Sequence, residues 1–283
     1  MNAHFFDIES IVSSDSKVWI VDRKSPKFPI MRISESDFAL IKSGIYKSHG
    51  NQIKFAGKEY WLSSDMMGEL KIKCKNLKSD VANLAFSMRE YMDSDLIESL
   101  EYEIRQDCIQ HLKNSQDDIY IICSSNTKEN YEKIISKIEG KLEKLGLSVK
   151  KYYFISETFY ERDSDDISRK KVRLLLQHLV GFKTEGDKFT DEKLDVYDCV
   201  SYYDEDEGSV RLASNANGLL NILAGNSEDS IKNAVKEDIK SRKPKLKSIL
   251  VSPNRVNRFS VSEVSLEVHN LIKTFEAFSW KKI

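Results

Sequence analysis

The chain has 283 residues with 44 Lys and Arg against 45 Asp and Glu, a formal net charge of −1; 40% of residues are hydrophobic, 31% are charged and only 4 are proline. This is a globular composition, long enough for one large domain or for a core with a sizeable insertion, and its charge balance excludes a wholly basic nucleic-acid binder. No apolar run reaches about 18 residues, and the N-terminus lacks the basic-then-apolar layout of a secretory leader, so no membrane partner and a cytoplasmic location are expected. Cys74, Cys108, Cys123 and Cys199 form no CxxC pair, and the five histidines form no HExxH, which argues against a zinc knuckle and against transition-metal chemistry.

In chain order, residues 3–6 (AHFF) read as a short buried strand. Residues 17–62 read as strand-rich: KVWIVDR, PIMRI, NQIKF and KEYWLS are separated by Pro, Gly and Asn signals. SESDFALIKSG interrupts them as a helix capped by Ser34 and closed at Gly44. From about 79 to 114 apolar residues recur at three- and four-residue steps, which predicts helices. Strands and helices then alternate. DIYIIC (118–123), KYYFIS (151–156) and CVSYY (199–203) are apolar strands, and 127–146 and 166–181 are amphipathic helices ending at glycine. Apolar strands with intervening helices imply a parallel sheet covered on both faces. The tail from about 225 reads as helical and basic, with one strand at 248–252. The expected architecture is therefore α/β: a Rossmann-like core of residues 1–12 and 115–225, an inserted α+β unit at 13–114, and a basic extension at 226–283 packing on or near the core.

Polar residues close those strands. Asp7 and Glu9 follow the first, Ser124, Ser125 and Asn126 follow the second, and Asp204, Glu205 and Asp206 follow CVSYY, while Lys170 and Lys171 open the helix after KYYFIS. Parallel strands bring such ends into one crevice. Carboxylates, a hydroxyl and an ammonium suit phosphoryl transfer from a monoester. A carboxylate can attack phosphorus, and a second acid can protonate the leaving oxygen and then activate water. Hard oxygens can hold Mg²⁺, and a hydroxyl and a lysine can bind phosphoryl oxygens. Ser124 is also placed to cap the helix that begins near Thr127. Of the two lysines, Lys170 is preferred for the site, and Glu205 and Asp206 compete for one metal-supporting role.

These landmarks, in this order, resemble the haloacid dehalogenase superfamily of phosphatases. Asp7-Ile8-Glu9-Ser10 resembles its DxDx(T/V) motif, IYIICSSN its hydroxyl-ending strand, the lysines of ISRKKVRLLL its helix-opening lysine, and VSYYDEDEGSVRLA its acidic fourth motif. The resemblance covers about half the chain, and the insertion falls where that family carries cap domains. It implies Asp7 as nucleophile, Glu9 as general acid/base, Ser124 and Lys170 as phosphoryl contacts, and Ser125, Asn126 and Lys171 beside the substrate. It implies Mg²⁺ held by Asp7, Asp204, Glu205 and the backbone carbonyl of Glu9. Glu9 departs from the family's aspartate by one methylene, and a displacement of about 1 Å in a reacting group can cost about 10²-fold in rate. The Lys/Ile-rich texture also resembles members encoded by large bacteriophages, which would place the protein in a host cytoplasm.

The expected function is a Mg²⁺-dependent phosphohydrolase acting on a phosphorylated small molecule or a nucleic-acid end. The rival expectation keeps the fold and drops the chemistry, leaving a binding or assembly module. A third is a nucleic-acid adaptor. Residues 229–258 hold nine Lys or Arg against three acids, a patch suited to nucleic acid or protein, and Lys71, Lys73, Lys75 and Lys78 cluster in the insertion.

Overall fold

The computed structural model describes residues 1–42, 44, 46–48, 51–55, 58–113, 115–155, 164–253 and 259–267. The chain divides into two compact units, one of residues 1–13 and 103–283, the other of residues 14–102.

The first unit is built on a six-stranded sheet. Its order is Val149–Phe154, Asp118–Cys123, Asn2–Asp7, Cys199–Asp204, Lys245–Pro253, Phe259–Glu267. The first five strands are parallel, and the sixth pairs antiparallel to its neighbour. Numbered along the chain, the five parallel strands run 3-2-1-4-5, so the order reverses at Asn2–Asp7. In open α/β sheets, ligands bind outside the carboxyl ends of the strands at that reversal.

Side-chain alternation makes the sheet two-faced. Ala3, Phe5, Tyr120, Ile122, Val200, Tyr202 and Leu246 belong to a core shared with Leu175 and Leu179 of helix Ser164–Val180, and with Leu220 and Val235 of the helices Asn217–Asn226 and Asp229–Arg242. Phe5 stacks on Tyr120 with ring centroids 4.5 Å apart. Tyr152 and Phe154 point to the opposite face, where the Tyr131 ring of helix Lys128–Lys144 meets Phe154 at 6.4 Å. Helices therefore cover both faces, as the apolar strands require. Caps set the helix starts. Thr127 Oγ1 accepts from the Asn130 N–H at 3.3 Å, and Asp206 accepts from the Ser209 N–H at 2.8 Å to open Glu207–Ser214. Gly181, at φ 75°, closes Ser164–Val180 in a conformation that disfavours other side chains.

The second unit holds a three-stranded antiparallel sheet of Ser25–Ser34, Lys17–Asp22 and Leu84–Ser87, and a hairpin of Asn51–Phe55 with Lys58–Leu62. Helix Ser64–Leu77 adds Met67, Leu70 and Cys74 to a core with Val18, Ile20, Ile33 and Leu84.

The structure departs from the sequence reading in several places. The core sheet continues past residue 225: helix Asp229–Arg242 and strand Lys245–Pro253 are integral to it, because Ile231, Val235, Ile239 and Leu246 are apolar on the sheet side and their lysines face outward. Residues 79–114 are not continuously helical. Leu84–Ser87 is a strand because Ala85 and Phe86 pair with Val21 and Ile20, and only short helices surround it. The hairpin Phe182–Glu185 with Lys188–Lys193 and helix Ser64–Leu77 have no counterpart in that reading. Arg255 and Arg258 of the basic segment lie outside the described residues. Among the described residues no helix is long and apolar enough to cross a membrane.

Candidate active site

Alternation aims three strand ends the same way. Asp7 continues the parity of Ala3 and Phe5, Asp204 that of Val200 and Tyr202, and Ser124 that of Tyr120 and Ile122, so all three point toward the face covered by helix Ser164–Val180. That helix presents a buried stripe of Ser168, Lys171, Leu175 and Leu179. The Lys171 ammonium lies 2.5 Å from Asp7 Oδ2 and 2.8 Å from Asp204 Oδ2. Ser124 donates its hydroxyl to Asp7 Oδ2 at 2.9 Å. Asp7, Ser124, Lys171 and Asp204 are each exposed by 5% or less. Ser124 is thus not the helix cap, a role that Thr127 fills.

A helical turn, Ile8–Ile11, begins directly after Asp7. It brings the Glu9 N–H to 3.4 Å from Asp7 Oδ1 and lets the buried Ser10 hydroxyl donate to the Asp7 carbonyl at 2.6 Å. Glu9 Oε1 accepts from the Tyr131 hydroxyl at 2.9 Å and from the Ser125 hydroxyl. Ser125 and Tyr131 are themselves 2.7 Å apart, oxygen to oxygen.

The remaining expected residues fall elsewhere. Lys170 points away from the cluster and pairs with Asp166 at 2.9 Å. It lines a separate depression of about 290 Å³ with Tyr153, Phe154 and Arg173. The preference for Lys170 over Lys171 is therefore corrected: neighbouring helical positions lie about 100° apart, and only Lys171 shares the face of Leu175 and Leu179. Glu205 turns to Arg105, with which it forms an ion pair, so it does not join Asp204 at Lys171. Asp206 caps Glu207–Ser214, and its N–H donates to Asp204 Oδ1 at 2.9 Å, fixing that carboxylate's plane. Asn126 Oδ1 accepts from the Thr127 N–H and the Asn130 amide, both at 2.8 Å, and so anchors the turn after its strand.

Two tyrosines that hold the carboxylates of the cluster escaped the sequence reading. Tyr131 orients Glu9, and Tyr202, fully buried, donates to Asp204 Oδ2. A tyrosine is a large core residue that carries a donor at its tip, and both sit on otherwise apolar stripes, which was the available signal.

The electrostatics are lopsided. Asp7, Glu9 and Asp204 crowd one ammonium. Burial, then the Glu9 charge, pushes Asp7 up to about 8 despite Lys171. Burial and the Asp7 charge push Asp204 up to about 6. Burial pulls Lys171 down, but the Asp7, Tyr202 and Asp204 charges outweigh it and hold the ammonium well above its ordinary range. The cluster thus keeps a proton on an acid at neutral pH, or takes up another cation. Among the described residues no three His, Cys, Asp or Glu side chains form a ready metal cage. Mg²⁺ needs none, since it commonly binds through one or two carboxylates, waters and substrate phosphates. Two hard carboxylates with surplus negative charge fit that ion.

Comparison with protein-family models, with curated proteins and with solved structures returns no match.

Proposed function

We propose that the chain is a Mg²⁺-dependent phosphohydrolase of the haloacid dehalogenase type, acting on a phosphomonoester through an aspartyl-phosphate. One observation carries this reading: at the strand-order reversal, Asp7 receives both the Ser124 hydroxyl and the Lys171 ammonium, which Asp204 shares. On this reading Asp7 is the nucleophile, and Ser124 and Lys171 transfer their hydrogen bonds to the phosphoryl oxygens as charge builds there. Glu9, held by Tyr131 and Ser125, protonates the leaving oxygen and later takes a proton from the water that hydrolyses the acyl-phosphate. Asp7, Asp204 and the Glu9 carbonyl would hold Mg²⁺, which would supply charge neutralisation between carboxylate and phosphate. On this reading the segment 14–102, a separate compact unit, corresponds in chain position to the cap domains of that family.

The test is phosphate release from an aryl phosphate and a nucleotide panel, with Mg²⁺ or with EDTA. Wild-type turnover that requires Mg²⁺ and falls by at least about 10³-fold in Asp7→Asn supports the reading. No turnover on any substrate, with no Mg²⁺ binding in calorimetry, defeats it. A second reading, a binding or assembly module on the same fold, is favoured by the near-complete burial of Asp7 and the mutual pairing of the cluster. It predicts that second outcome.

A further inference from the structure

Two segments meet at one end of the second unit: the turn between strands Lys17–Asp22 and Ser25–Ser34, and the carboxyl end of helix Ser64–Leu77. The Arg23 N–H donates to the Asn83 carbonyl at 3.0 Å, and the Ser79 N–H returns to the Cys74 carbonyl at 2.9 Å. The same helix packs on strand Ser25–Ser34. Burial raises the pKa of the Cys74 thiol, and the charges of Asp22 and Asp80, one from each segment, raise it further.

This end offers water both apolar and basic side chains. Val21 faces Pro29 and Asp22 faces Ser25, so Pro26, Lys27 and Phe28 bulge out of the ladder. Two of the chain's four prolines bracket Lys27 and Phe28, which limits the backbone freedom they have to lose on binding. Among the described residues, the large apolar side chains more than half exposed are Met1, Phe28, Ile72, Leu77 and Ile222. Three of these belong to this unit, and Phe28 at 74% and Leu77 at 59% belong to the two segments that meet. Arg23, Lys24, Lys27, Lys75 and Lys78 are exposed, and none of them pairs with an acid among the described residues. Lys73 is left out of this set because it pairs with Glu69 at 2.6 Å. Asp22 and Asp80 accept the Lys24 and Ala82 N–H groups at 2.9 and 3.0 Å and stay charged, so five cations stand against two acids.

We propose that this end of the unit docks on an anionic phospholipid surface, with Phe28 and Leu77 entering the interface and the cations resting on the headgroups. Such a surface takes up apolar tips and positive charge together. Lysine stems can lie along the apolar layer while their ammonium groups remain in water. A nucleic acid would engage the cations and stack on Phe28, but it would leave Leu77 and Ile72 facing water. The sequence-based expectation of no membrane partner weighs spans and leaders only, and a peripheral contact needs neither. The inference makes no use of the phosphohydrolase reading.

The test is co-sedimentation of the full chain with vesicles of phosphatidylcholine alone or of equimolar phosphatidylcholine and phosphatidylserine. Wild-type protein should partition at least about tenfold more strongly onto the mixed vesicles. Phe28→Ser/Leu77→Ser should weaken that partition by at least about tenfold. Lys24→Gln/Lys27→Gln/Lys75→Gln/Lys78→Gln should abolish the preference for phosphatidylserine. Lys232→Gln/Lys236→Gln/Lys240→Gln/Lys243→Gln, which removes equal charge from helix Asp229–Arg242 of the first unit, should leave it intact. All of these variants should keep the wild-type urea midpoint. Equal partition onto both vesicles, or none, overturns the proposal. So does partition that survives loss of Phe28 and Leu77, or that falls equally with either lysine set, since both describe adsorption by charge alone. Binding of a single-stranded oligodeoxythymidine that requires these residues, without vesicle binding, overturns the lipid surface in favour of nucleic acid.

Discussion

The sheet carries a lysine between two carboxylates at each end, one cluster open to water and one buried, and Asp118 and Asp7 shift in opposite directions. At the amino ends, Lys150 binds Asp118 at 2.7 Å and Asp195 at 2.8 Å, and Tyr197 donates to Asp118 at 2.5 Å. At the carboxyl ends, Lys171 binds Asp7 and Asp204 at nearly the same distances. Both are two carboxylates on one ammonium, yet Asp118 is held below its ordinary range while Asp7 is pushed up to about 8. Burial works against ionisation in each case. At Asp118, whose side chain is 27% exposed, the hydrogen bonds from Lys150 and Tyr197 outweigh it. At Asp7, 3% exposed and crowded by Glu9, they do not. Counting pairs therefore does not tell how a carboxylate titrates; water access and surplus charge do.

The largest stability effect should come from removing the shared cation. Lys171→Met leaves Asp7 and Asp204 buried without a partner and should destabilise the fold by about 3–5 kcal/mol, read as a lower urea midpoint. Lys150→Met leaves acids that water still reaches, and should cost about 1 kcal/mol or less. Similar losses at the two lysines would break the contrast.

The network at the amino ends has a histidine of its own, and its pH response is next in size. His178 Nδ1–H donates to the Asp195 carbonyl, 3.1 Å away, which leaves Nε2 to accept from the Tyr153 hydroxyl at 2.7 Å; burial lowers its pKa from 6.5 to about 4. Its folded pKa lies below the unfolded one, so its contribution is complete above pH 6.5 and is lost as pH falls toward 4, about 3 kcal/mol in all. Denaturation midpoints measured across that window should slope downward with acid, and His178→Gln should flatten the slope. An unchanged slope in the variant would place the acid sensitivity elsewhere.

Much of this site was legible because strands write their direction in alternation. Asp7, Ser124 and Asp204 each close an apolar run, and their parity with Phe5, Ile122 and Tyr202 puts them on one face without any tertiary information. The choice between Lys170 and Lys171 turned on which stripe was buried. Ser168, Lys171, Leu175 and Leu179 form one and Asp166, Lys170 and Arg173 the other, but Leu174 beside Leu175 blurred the boundary. Tyr131 and Tyr202 were opaque, since their rings read as core and only packing shows where the hydroxyls land. The strand Leu84–Ser87 was hidden for another reason: its pairing with Lys17–Asp22, more than sixty positions away in sequence, overrides a local helical spacing.

The last effect is the sharpest, because its sign differs between the two ends. Asp7→Asn replaces a carboxyl that the folded chain must keep protonated at neutral pH with a group that never ionises, and the amide oxygen can still accept from Ser124 and Lys171. The variant should be more stable than wild type at neutral pH even as it loses the proposed activity, the trade expected where a site is strained for function. Asp118→Asn removes a charge that its network satisfies, and should lower stability by about 1 kcal/mol. The pH dependence carries the same sign. Asp7 has a folded pKa near 8 against an ordinary 3.8, so the folded chain holds that proton longer than the unfolded chain. Its stability contribution is present in acid and is lost as pH rises toward 8. Between about pH 5 and 9, wild-type protein should therefore lose stability relative to Asp7→Asn. A gap that stays constant over this range would mean that the Asp7 carboxyl is ionised throughout and that Lys171 alone neutralises it.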